Sequence, residues 1–258
     1  MHSTDGASAV AEWFGGANRV LFVHAHPDDE TISTGGTLAA LAESGREPIL
    51  VTLTRGEQGE VVPGPFALLA GTPGLARHRE TELAAALGML GVAAHAYLGT
   101  PPARAEGLEP RTYEDSGMQW GDDGLALAAD DAPATALTRA PAVEALNDLL
   151  ILAATLGAEA VVSYDIRGGY GHPDHVFAHR AGRAVARGLE VPYWEIVADP
   201  SEERVDAVEL HDISPWLERK VAALRAHGTQ LSVDGEEIVH VGGQRQRIDR
   251  IEAFRRLD

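Results

Sequence analysis

The sequence predicts an α/β protein: a Rossmann-like, mostly parallel sheet flanked by helices, with long active-site loops at the carboxyl ends of its strands. Two observations carry this reading. Apolar runs of strand length alternate with segments of helical periodicity along most of the chain, and such alternation calls for right-handed crossovers that cover a parallel sheet with helices. Two of the strand-like runs are followed by clusters of His, Pro and Asp, and open α/β sheets bind ligands at the carboxyl ends of their strands.

Taken in order, Arg19 to His24 reads as the first strand, Thr31 to Ser44 as a helix stopped by Gly45, and Pro48 to Thr54 as the second strand. Leu75 to Leu90 has apolar positions at helical spacing and ends at Gly91, and His95 to Leu98 is a short third strand. Pro141 to Leu156 follows as a helix, Ala160 to Tyr164 as a strand, Pro173 to Arg187 as a helix and Tyr193 to Val197 as a strand. Trp216 to Ala226 looks helical, and Glu237 to Val241 resembles a late strand. Arg55 to Gly74 and Gly99 to Arg139 are rich in Gly, Pro, Asp and Ala and too long for mere connections, so they read as walls of an active site. With no internal repeat or clear linker, residues 1–258 form a single domain in which 1–17 is expected to be a flexible tail.

Composition narrows the function classes. A chain of 258 residues with 45% hydrophobic content can bury a sizeable core. A formal charge of -18, from 21 basic and 39 acidic residues, repels a phosphate backbone or an anionic bilayer, so neither nucleic acid nor membrane is expected as a partner. The absence of cysteine excludes disulfides, thiolate ligands and cysteine nucleophiles. Any metal must therefore be held by nitrogen and oxygen. Met1 to Gly6 lacks the basic start and apolar core of a signal peptide, and no stretch of about 18 apolar residues follows, so a cytoplasmic location is expected.

The chemistry is concentrated in two places. In Val20-Leu21-Phe22-Val23-His24-Ala25-His26-Pro27-Asp28-Asp29-Glu30 an apolar run stops at two histidines and three acids, and the second cluster is Gly171-His172-Pro173-Asp174-His175. A catalytic zinc commonly takes two His and one carboxylate and leaves a position for water; His26, Asp29 and His175 supply that set. Asp28 and Asp29 are adjacent and cannot point the same way, so Asp29 can hold metal while Asp28 faces the water as general base. A metal lowers the pKa of bound water from about 16 to about 7, which brings it within reach of such a carboxylate. Pro173 is suited to open a helix, placing His172 and His175 near its first turn on roughly one side. One can ligate while the other protonates a leaving group, with Asp174 available to hold a charged imidazole. His24, two residues before His26, reads as a supporting residue. His78, His95, His179, His211, His227 and His240 read as surface or core residues, and His2 as part of the tail.

The two signatures together closely resemble those of the PIG-L (LmbE-like) zinc-dependent N-acetylglucosaminyl deacetylases, over roughly Val20 to Val197. Arg111 to Met118 and Gly168-Gly169-Tyr170 look most like the actinobacterial branch, which contains the mycothiol-pathway deacetylase and the mycothiol-conjugate amidase. The resemblance implies zinc on His26, Asp29 and His175, with Fe2+ also compatible with the ligand set. It further implies Asp28 as base, His172 as acid steadied by Asp174, and Tyr170 as donor to the oxyanion. Arg79 and Asp115 match sugar- or inositol-contacting positions, and Glu57 lies in a loop similar to one flanking the family's pocket. The implied reaction is removal of acetate from an N-acetylglucosamine-type sugar, with N-acetylglucosaminyl-inositol as one candidate substrate. The alternatives are an amidase acting on a thiol conjugate or on an N-acyl sugar of a secondary metabolite, or a sugar-binding protein without activity. Thr100 to Arg111 and Trp120 to Arg139 depart from the family pattern in being Pro- and Ala-rich or Asp-laden, so the sequence favours the glucosamine unit over any particular aglycone.

Overall fold

Strand β1 (Val20–His24) is buried at every position, as a strand covered on both faces must be. The computed structural model describes residues 10–121, 126–198 and 208–257. On one side of β1 lie β2 (Ile49–Thr52) and β3 (Ala94–Tyr97), both parallel. A small antiparallel ribbon, β4 (Met118–Trp120) with β5 (Ala126–Ala128), interrupts the long second loop. The chain then crosses over β1 and adds β6 (Ala160–Ser163) and β7 (Tyr193–Val197), again parallel, on its other side. Next come β8 (Glu209–Asp212) and a separate antiparallel sheet of β9 (Leu231–Asp234), β10 (Glu237–His240) and β11 (Arg245–Arg247). The last strand, β12 (Ile251–Leu257), pairs antiparallel with β7 and β8, giving the order β3-β2-β1-β6-β7-β12-β8.

Side chains alternate across β1, so Leu21 and Val23 enter one apolar cluster while Val20 and Phe22 enter another. The first cluster packs beneath α3 (Ala142–Thr155) and α4 (Pro173–Leu189), and the second beneath α1 (Asp29–Glu43) and α2 (Pro73–Leu90). Each large apolar side chain fully buried there stabilises the fold by about 1.5–3 kcal/mol. A third cluster seats α5 (Leu217–Ala226) against β9 and β10 through Leu224, Leu231 and Ile238.

The expected α/β architecture is present, with the expected parallel strands and helices in place. Helix α1 starts at Asp29, two residues before the sequence signal, and α2 at Pro73, where the Thr72 hydroxyl accepts from Gly74 N at 3.3 Å. Residues 10–17 correct the expectation of a tail that reaches Ala17: Val10, Trp13 and Phe14 are at most 5% exposed, and Arg46 donates to the carbonyls of Val10, Trp13 and Ala17. Residues 1–9, with His2, lie outside the described residues. Among the described residues no helix is long and apolar enough to cross a membrane.

Sheet order reverses between β1 and β6, because the chain builds β2 and β3 on one side of β1 before crossing to the other. A crevice opens at such a switch point, outside the carboxyl ends of the two strands. His26 to Asp29 follow β1, and the loop from Asp165 to His172 follows β6.

Candidate active site

At this crevice three lone-pair atoms converge. His26 Nδ1 lies 3.2 Å from Asp29 Oδ2, His175 Nε2 lies 3.2 Å from the same oxygen, and the two ring nitrogens are 3.3 Å apart. Ligands about 2.0–2.1 Å from a tetrahedral zinc are separated by about 3.3–3.4 Å, so this nearly equilateral triangle has the dimensions of three ligands around one such ion. Hydrogen bonds assign the tautomers to match. His26 Nε2 lies 3.2 Å from Asp174 Oδ2, and His175 Nδ1 lies 3.3 Å from the Gly168 carbonyl, so each ring donates outward and keeps its other nitrogen for a metal. The residues present therefore fit a divalent cation. Other groupings around His26, with His172 and His175 or with Asp115, His172 and Asp174, also come within ligating reach. The second is already accounted for by a proton on His26 Nε2 shared with the two carboxylates.

Asp28 stands beside the triangle and points elsewhere. Its Oδ2 is 3.4 Å from an Arg79 nitrogen, and Arg79 also donates to the carbonyls of Pro27 and Gly56. Burial pushes the Asp28 carboxyl up to about 6, with the Arg79 guanidinium opposing the rise and Asp29 adding to it. Arg79 is 3% exposed, so it is a buried partner of Asp28 and not a solvated helix residue. The loop can close over its guanidinium only because residue 56 is glycine; a Cβ there would lie 1.9 Å from Arg79 Nη1, on a backbone with φ of +67°.

The second cluster caps α4. Pro173 takes the first helical position, and His172 Nδ1 accepts from the Asp174 N–H at 3.2 Å. Burial, then the neighbouring His26 and His175, lower His172 to about 2 and keep it neutral, with its proton on Nε2. The Asp174 carboxylate, expected to steady His172, instead reaches His26 Nε2 and accepts from Ser116 N at 2.9 Å. Helix geometry explains this: the backbone of Asp174 satisfies His172, which frees the side chain to turn toward β1. Tyr170 is 44% exposed, and its ring lies edge-on to His175 with centroids 5.2 Å apart. Desolvation, then Asp29, raise its hydroxyl above the usual range, so it remains a donor at neutral pH.

Of the expected substrate contacts, Asp115 is buried at the cavity wall, with Oδ1 3.5 Å from His26 Nε2 and accepting from Gly117 N at 2.8 Å. Glu57 does something else: its Oε2 accepts from Asp115 N at 2.9 Å, pinning one loop to the other, and its neighbours Gln58 and Glu60 line the cavity. That cavity measures about 860 Å³, and its far wall is built from Gln230, His240, Gln244 and Gln246 around the β9–β11 sheet. Sequence reasoning missed these, and with them Tyr164, whose ring stacks on His175 at 4.1 Å and whose oxygen accepts from Ala25 N. It also missed the pairing of Glu30 with His227, both fully buried and 3.2 Å apart. Glu30 is the third acid of the first cluster, but a histidine after a late helix carries no local pattern that separates it from packing residues.

Comparison with known proteins identifies relatives of this chain. The profile of the family described as PIG-L, GlcNAc-PI de-N-acetylase, matches residues 21–186. The 1D-myo-inositol 2-acetamido-2-deoxy-alpha-D-glucopyranoside deacetylase of Nocardioides sp. is 36% identical, over 84% of this chain and 84% of that protein. The protein of the same name from Kineococcus radiotolerans is 45% identical, over 84% of this chain and 70% of its own length. Among solved structures, a deacetylase of teicoplanin biosynthesis in complex with teicoplanin superposes with a TM-score of 0.61 at 18% identity, covering 92% of this chain and 97% of that one. The last likeness is one of fold.

Proposed function

The chain belongs to the PIG-L, GlcNAc-PI de-N-acetylase, family, and on that premise we propose that it is a metal-dependent deacetylase that releases acetate from an N-acetylglucosamine-type sugar. The observation that carries the reading is the triangle of His26 Nδ1, Asp29 Oδ2 and His175 Nε2, with Asp28 beside it at the mouth of the cavity. We propose zinc as the ion; when bound, it would supply Lewis acidity that polarises the acetamide carbonyl and acidifies the attacking water.

The protein groups then have separate tasks. Asp28 takes the proton of the water through a carboxylate that Arg79 keeps oriented. Tyr170 donates to the developing oxyanion, a role that suits a phenol held protonated at the crevice. His172 has Nδ1 occupied by the Asp174 N–H, so any proton it gives the departing amine leaves from Nε2. With the Nε2 proton already in place, His172 donates a hydrogen bond to the departing amine, and the water-derived proton held by Asp28 is the one that ends on that nitrogen, so the step balances. Asp174 and the Gly168 carbonyl fix the two ligating imidazoles.

The name borne by both relatives supports 1D-myo-inositol 2-acetamido-2-deoxy-alpha-D-glucopyranoside as the first substrate to test. A panel of that glycoside, free N-acetylglucosamine, N-acyl antibiotic sugars and thiol conjugates, read by acetate release and amine detection, tests the proposal. Acetate release from the N-acetylglucosamine glycosides is expected. Cleavage of the thiol conjugates alone would make the protein an amidase, and binding without release of acetate from any member would overturn the enzymatic reading.

A further inference from the structure

Three described non-glycine residues have positive φ, and Asp28 is unlike the other two. Phe14 (φ 54°, ψ 36°) and Glu190 (φ 57°, ψ 37°) sit in the left-handed basin that L-residues can visit, whereas Asp28 has φ 112° and ψ -35°, outside it. A backbone in that region persists only where its surroundings over-determine it. Two restraints are ordinary consequences of the fold: the Asp28 carbonyl accepts from Thr31 N and Ile32 N at 3.0 and 2.9 Å, and Arg79 holds the preceding carbonyl.

The third restraint comes from a neighbouring side chain. The Asp28 N–H donates to Glu30 Oε2 at 3.0 Å. Glu30 is fully buried, and its other oxygen is fixed by the Thr31 hydroxyl at 2.5 Å and by His227 Nε2 at 3.2 Å. His227 is also fully buried, and Thr31 Oγ1 lies 3.1 Å from its Nε2. It follows α5, and its carbonyl accepts from Gln230 N and Leu231 N at 3.0 and 3.1 Å, which locks it in the turn that leads into β9. A remote element thus anchors the backbone of the residue that carries the base.

We propose that His227 is a positioning residue: by clamping Glu30 onto the Asp28 N–H, it holds Asp28 in its high-energy backbone conformation and so aims the carboxylate away from the metal ligands and into the cavity. The inference rests on the reading of Asp28 as general base. A pair that served stability alone would change the melting temperature and leave the turnover of folded, metal-loaded protein intact.

The test compares metal-loaded parent protein with His227→Leu, His227→Gln and the isosteric Thr31→Val. In His227→Leu, kcat should fall on the order of 100-fold, the scale set by angstrom-level misplacement of a catalytic group, with KM and bound metal held within about twofold. His227→Gln, which can still donate to Glu30, should recover most of that loss. Thr31→Val removes one support of Glu30 without removing His227 and should cost several-fold in kcat, which keeps the inference testable should the leucine variant not fold. A substrate-independent readout is the Asp28 amide proton by NMR: downfield and slow to exchange in the parent and in His227→Gln, shifted upfield and faster in the other two. An unchanged Asp28 amide and kcat in His227→Leu, or a loss of kcat that only tracks loss of metal, would overturn the proposal. A parent that releases no acetate would instead sink the deacetylase reading, while the amide signal would still judge the positioning.

Discussion

Two adjacent acids, Asp28 and Asp29, point apart because a chain cannot aim neighbouring side chains the same way, and Asp28 does so on a backbone with a φ of 112°. Replacing Asp28 by Asn would remove the proposed base but none of the three atoms of the proposed metal triangle. Metal content by elemental analysis should therefore stay at the parent value, while turnover falls about 10²–10⁴-fold, the usual share of a positioned proton acceptor. Parental turnover by the Asn variant would refute the assignment. His95 offers a second residue-scale prediction, away from the site. It lies on β3 with Nε2 3.1 Å from Thr52 Oγ1, and burial, only partly offset by Glu30, lowers it from 6.5 to about 4. Its folded-state pKa is below the unfolded one, so the unfolded chain binds the extra proton first. Its contribution is thus complete above about pH 6.5 and is lost as the pH falls toward 4. Denaturant midpoints measured across that window should drop with acid less steeply in His95→Gln than in the parent. An identical slope in the two proteins would exclude His95 as a contributor.

At the scale of elements, α1 matters most because it starts at the site and runs under β12. Glu252 of β12 accepts from Gly36 N and Thr37 N at 2.9 and 2.7 Å and pairs with Lys220 of α5 at 2.8 Å, so three elements meet on one face of the helix. The glycine pair there separates propensity from packing. A Cβ at Gly35 would meet Lys220 Cγ at 3.4 Å, an ordinary contact, whereas one at Gly36 would lie 2.4 Å from the Cβ of the fully buried Ile213. Gly35→Ala should stabilise by up to about 1 kcal/mol, and Gly36→Ala, with the same propensity gain, should lose about 1–3 kcal/mol to overpacking. Equal shifts in thermal midpoint would contradict the close approach. The parallel strands and their helices were legible in the sequence because each is a continuous apolar or periodic run, as at Val20–His24 and Pro73–Leu90. The edge strand β8 and the β9–β11 sheet were harder to read. Glu209–Asp212 alternates over four residues only, and Arg245–Arg247 is wholly exposed, so neither leaves a burial signature. The same limit hid Gln244 and Gln246, whose place on the cavity wall depends on where a polar sheet folds back, whereas His26, Asp28, Asp29, His172 and His175 stood out because their neighbours in sequence shared their chemistry.

The proposed metal triangle draws on both sides of the point where strand order reverses: His26 and Asp29 follow β1, while His175 comes from α4, after β6. A bound ion therefore joins two halves of the sheet that are already joined by packing. The two large apolar clusters are closed by side chains of the sheet and its helices, so the core is expected to form without the metal. Zinc that binds the native chain alone stabilises it by mass action, about 2.7 kcal/mol at a free concentration of 100 times Kd. At roughly 2–4 °C per kcal/mol for a domain of this size, the thermal midpoint should rise by about 5–10 °C. Stripping with a chelator should abolish acetate release and this increment while leaving the far-ultraviolet circular dichroism at 25 °C unchanged. His26→Ala should keep the spectrum and lose the zinc-dependent rise, because two ligands on neighbouring elements no longer close a site across the crevice. A midpoint indifferent to zinc in the parent, or a protein that unfolds at 25 °C on chelation, would show that the triangle is either not a metal site or is part of what holds the sheet together.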